Sequence, residues 1–67
     1  MDAKARSHLQ RLRRLVAEDA ESLERALNTD VPHPEALMTL MDRCEEDTAR
    51  LRRWLAITLL ADAPRVR

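Results

Sequence analysis

The sequence predicts an all-α fold, an antiparallel hairpin of two long helices, and three observations carry that expectation. The 67 residues include no Gly and a single aromatic, Trp54, and are rich in Ala, Leu, Arg and Glu, which are good helix formers. Apolar residues recur at steps of three and four along two stretches of similar length, the spacing of amphipathic helices. One break separates the stretches, Asn28 to Pro34, and it holds two of the three prolines.

The first helix is expected at about 3–27. Asp2 is the expected N-cap, because its short carboxylate can accept from the free N–H groups of a first turn. Leu9, Leu12, Val16, Ala20, Leu23 and Leu27 fall in one narrow arc at about 100° per residue. Leu15 and Ala26 widen that stripe, with Asp19 at its margin. Gln10, Arg14, Glu18, Glu21 and Arg25 occupy the opposite, solvated face.

The break at 28–33 follows from local chemistry. Asn28 suits the left-handed conformation that often ends a helix where Gly is absent. Pro32 and Pro34 push the residues before them, Val31 and His33, out of helical geometry. Pro34 itself fits the first position of a helix, where its missing N–H is no loss. Glu35 then lies where the helix dipole favours negative charge.

The second helix is expected at about 34–62, followed by a frayed tail at 63–67. Leu37, Leu40, Met41, Cys44, Thr48, Leu51, Leu55 and Leu59 form its predicted stripe. With the two stripes facing each other, the hairpin is a single domain of residues 1–67. Apolar residues are left over on the second helix, in the densest apolar run, RLRRWLAITLLA from Arg50 to Ala61. Ile57 and Leu60 lie well outside the stripe, Trp54 sits at its edge, and Met38 is expected to share a side with Ala56 and Leu60. Trp54, Ile57, Leu60, Ala56, Arg53 and Met38 are therefore the candidate protein interface.

Size and composition narrow the function. A chain of 67 residues is near the lower limit for independent folding, and one cysteine excludes an internal disulfide. A partner chain is the default staple for so small a scaffold. The formal charge is zero, from 12 basic and 12 acidic residues, so nucleic acid and membrane are disfavoured as partners. The N-terminal MDAKARSHLQ is polar rather than a secretory segment, and the expected compartment is the cytoplasm.

Charge is nevertheless arranged in blocks. Residues 3–17 carry five basic groups and no acid, residues 18–47 carry ten acids against Arg25 and Arg43, and residues 48–67 carry five arginines against Asp62. Folding the hairpin gathers the basic blocks at its open end and the acids at its loop end. Such a bipolar rod suits an antiparallel self-pair or a partner of complementary charge.

No catalytic, cofactor or metal signature is present, and the chain is expected not to be an enzyme. His8 and His33 have no ligand-spaced neighbours and read as surface or capping residues. Cys44 reads as a small buried hydrophobe, and Glu45, Glu46 and Asp47 as a solvated charge run. The arginines at 11, 13, 14, 50, 52 and 53 read as the rim of a docking site, because no second aromatic is present to stack on a base.

In its length, its two helices around a short polar break, and a second helix closing in TARLRRWLAITLLA, the chain resembles the YscE/PscE/AscE-type co-chaperones of type III secretion. That resemblance implies a cytosolic helical hairpin. It also implies two partners, a tetratricopeptide-like chaperone and the needle subunit, which the complex keeps unpolymerised before export. The helix 2 surface around Trp54, Ile57 and Leu60 is then a candidate contact. Two alternatives stand beside it. One is a homodimeric four-helix bundle similar to the Rop RNA-binding regulator, and the other is a small inhibitor protein.

Overall fold

The computed structural model describes residues 1–62. Helix α1 spans Ala3–Leu27 and helix α2 spans Pro34–Asp62. The two pack against each other as an all-α hairpin, and the tail at 63–67 lies outside the described residues.

The helix ends follow from side chains at the termini. Asp2 is extended at φ −78° and ψ 171°, and its Oδ1 accepts from the Ala5 N–H at 2.7 Å. Its carbonyl takes the first helical bond from Arg6 at 3.0 Å. At the other end Asn28 does not adopt the left-handed conformation expected of it: φ is −90° and ψ 4°. The last turn tightens instead, the Asn28 N–H being shared between the Glu24 and Arg25 carbonyls at 3.1 and 3.2 Å. The Thr29 hydroxyl donates to the Ala26 carbonyl at 2.9 Å. Three of the carbonyls left open by the helix end are thus satisfied without a positive φ. Helix α2 starts with Pro34 just inside it, and the His33 carbonyl accepts from the Leu37 N–H at 3.0 Å.

The seam between the helices departs from the predicted stripes. On α1 the covered positions include Ala5, Leu9, Leu12, Val16, Asp19, Leu23 and Ala26; on α2 they include Leu37, Leu40, Cys44, Asp47, Leu51 and Thr58. These recur every 3.5 residues on average, the repeat of helices that coil around each other. The sequence stripes instead followed the 3.6-residue period of a straight helix, which drifts by about 20° per heptad from such a seam. By the end of α2 the drift amounts to one seam position. Leu55 and Leu59, predicted to face α1, are therefore exposed, while Thr58 is half-covered in their place. Thr58 tolerates the seam because its hydroxyl donates to the Trp54 carbonyl at 2.8 Å. On α1, Ala20 and Leu27 are likewise exposed.

The resulting core is thin. Leu9 and Leu12 are its buried apolar residues, and no described side chain is completely enclosed. The molecule measures 12 Å along its shortest axis and 21 Å along the next, which is one helix deep and two across. Its accessible surface is 5940 Å², roughly a third more than the about 4,400 Å² expected of a compact monomer of this mass.

Candidate interaction surface

The seam gives the hairpin two distinct flanks. In an antiparallel pair, residues four after Leu9, Val16 and Leu23 on α1 share a side with residues four after Leu37, Cys44 and Leu51 on α2. This is the Met41 flank. The Trp54 flank, on the other side, carries His8 and Leu15 of α1 with Arg50 and Ile57 of α2.

Trp54 takes a seam position at the open end but is too large to be covered by one helix, and it stays 42% exposed. Its ring meets His8 edge to face, with centroids 4.9 Å apart and planes at 79°. His8 is thus neither the surface residue nor the cap that the sequence suggested. It is half-buried, and its Nε2 is enclosed without a hydrogen-bond partner. The ring pair helps line an open groove of about 680 Å³, together with Ala5, Thr58, Lys4 and Arg11.

The predicted interface residues do not form one patch. Ile57, 49% exposed, and Leu60, 76% exposed, lie beside Trp54 on its flank, with Arg53 at the border. Ala56 is exposed on the back of α2. Met38, 63% exposed, belongs elsewhere: it sits on the Met41 flank, about 24 Å up the helix from Trp54 at 1.5 Å per residue. The supercoil moves it off the side expected from a straight helix.

Two acids enter the seam that the sequence placed at its edge or in water. Asp19, at 7% exposure, is one of three buried residues among those described, and Asp47 is half-buried. The Asp19 Oδ2 is enclosed with no partner. Its carboxyl is pushed above the ordinary 3.8, first by the Asp47 carboxyl, with which it can share a hydrogen bond only when a proton is present. Burial and the Asp47 charge add to this, Glu18 adds less, and Arg43 opposes it. The 3.6-residue period of a straight helix misses the pair, whereas a strict 3.5 repeat places both acids among the apolar seam positions.

Among the described residues no three His, Cys, Asp or Glu side chains are grouped to hold a metal ion. Neither helix is long and apolar enough to cross a membrane. Comparison with protein-family models, with curated proteins and with solved structures finds no match for this chain.

Proposed function

We propose that the chain is a non-catalytic helical interaction protein whose open end docks on another polypeptide. Its finer role, by the resemblance of its sequence, is that of a cytosolic co-chaperone holding a needle subunit unpolymerised together with a tetratricopeptide-like chaperone. One observation supports docking above all: Trp54, which lines the open groove, is followed at three-residue steps by Ile57 and Leu60, and all three are exposed. Aromatic anchors set among aliphatic side chains and ringed by arginine are typical of the residues that dominate binding energy. Lys4, Arg11, Arg50 and Arg53 surround them, so the matching partner surface is apolar at its centre and acidic at its margin.

The test is co-expression with a type III needle subunit and its tetratricopeptide-like chaperone. A soluble complex containing all three chains, with the subunit unpolymerised, is expected. Ile57→Asp/Leu60→Asp should abolish its formation while leaving the chain helical by circular dichroism. A needle subunit that polymerises equally with and without this chain would refute the co-chaperone role. A complex that forms as well with the double variant would refute the docking site.

A further inference from the structure

The Met41 flank lies on the other side of the hairpin from the proposed docking site and has a different layout. At the loop end it exposes Leu27, Met38 and Met41; at the open end it exposes Leu55 and Leu59. Between them lie small residues, Ala17, Ala20 and Thr48, all exposed. A shallow hollow of about 320 Å³ lies on the α2 side of this middle part, lined by Cys44, Glu45, Thr48, Ala49 and Arg52. Among the described side chains, the charged residues of the flank are sorted as well. Arg6, Arg13 and Arg52 belong to its open-end half, Glu24 and Glu45 to its loop-end half.

This layout is complementary to itself under a two-fold axis through the middle of the flank. We propose that the occupant is a second copy of this chain, laid antiparallel so that two hairpins form a four-helix bundle. Leu55 and Leu59 of one copy then meet Leu27, Met38 and Met41 of the other, and the small central residues let the helices approach closely. The basic half of each flank faces the acidic half of its mate. A two-fold interface uses the same patch on both subunits, so it requires this match of a surface to its own reverse. A parallel arrangement would set arginine against arginine and glutamate against glutamate.

The exposed area leaves room for such an interface. The accessible surface of 5940 Å² exceeds the compact-monomer expectation of about 4,400 Å² by more than the about 800 Å² each partner buries in a standard interface. The flank also completes a pattern in which apolar residues line the seam and one adjoining side, the pattern of helices in a bundle rather than in an isolated pair. The Trp54 flanks remain open on the outside of the bundle, one near each end. Self-association therefore leaves the proposed partner site accessible, and the two ideas can fail separately.

Sedimentation equilibrium of the isolated chain at about 100 µM tests the proposal, with a mass of twice 7.8 kDa expected. Met41→Glu/Leu55→Glu should weaken the dimer at least a hundredfold, whereas Ile57→Glu/Leu60→Glu should leave it within a few-fold of the parent. Because the first variant can unfold as it dissociates, a charge exchange decides the geometry. Arg13→Glu/Arg52→Glu should weaken the dimer about tenfold, and adding Glu24→Arg/Glu45→Arg should restore it. A monomer at this concentration, a larger assembly, or a dimer indifferent to Met41 and Leu55 would overturn the proposal. Failure of the exchange to restore the dimer would overturn the antiparallel arrangement.

Discussion

Replacing Asp19 with leucine should make this protein more stable, by an amount that depends on pH. Asp19 has 7% of its surface exposed and an Oδ2 without a partner. Relieving an unsatisfied buried polar group is worth about 1–3 kcal/mol, and burying a leucine side chain about 1.5–3 kcal/mol. The seam is only two helices thick, so water lies close to this side chain and both figures fall toward their lower ends. About 2 kcal/mol is expected at neutral pH after that discount. For a domain of this size it corresponds to a Tm higher by about 10 °C. The measurement is a circular-dichroism melt of Asp19→Leu beside the parent at equal chain concentration.

The sign of the pH effect follows from the direction of the shift. The folded Asp19 carboxyl titrates above its ordinary 3.8 because of Asp47 and burial. A raised folded value means that the carboxylic acid stabilises the fold fully below the unfolded value, and that this contribution is lost as pH rises through the folded value. The advantage of Asp19→Leu should therefore be greatest at pH 7 and shrink as the solution is acidified toward 3.8. Asp19→Asn, which removes the charge and keeps a polar group, should gain less and show the same narrowing. An Asp19→Leu variant that melts at or below the parent temperature at pH 7 would refute the reasoning. So would a gap that widens in acid.

Three further outcomes are expected. Asp2→Ala removes the acceptor of the Ala5 N–H and should cost about 1 kcal/mol, read as a lower melting temperature. His8→Ala removes the edge-to-face partner of Trp54; it should cost about 0.5–1.5 kcal/mol and move Trp54 fluorescence toward the red as water reaches the ring. The isolated protein should not bind RNA or DNA tightly at physiological salt, because its acids balance its bases; a salt-sensitive gel shift at submicromolar protein would contradict this.

The sequence by itself determined where the helices stop and start, because those decisions are local. Pro32 and Pro34 exclude helical geometry just before them, and Asp2 needs only its own first turn to act as a cap. It also determined that helix α2 carries more apolar surface than one neighbour can cover. Tertiary structure alone decided which residues meet. Two packed helices coil, and a difference of 0.1 residue per turn between 3.6 and 3.5 accumulates at about 20° per heptad. Over α2 that small angle is enough to put Thr58 in the seam, expose Leu55 and Leu59, and carry Met38 to the opposite flank from Leu60. The same rotation takes Asp47 out of a charge run that looks solvated and sets it against Asp19. Neither acid carries a local sign of that fate, since burial is a property of the pair of helices and not of either one.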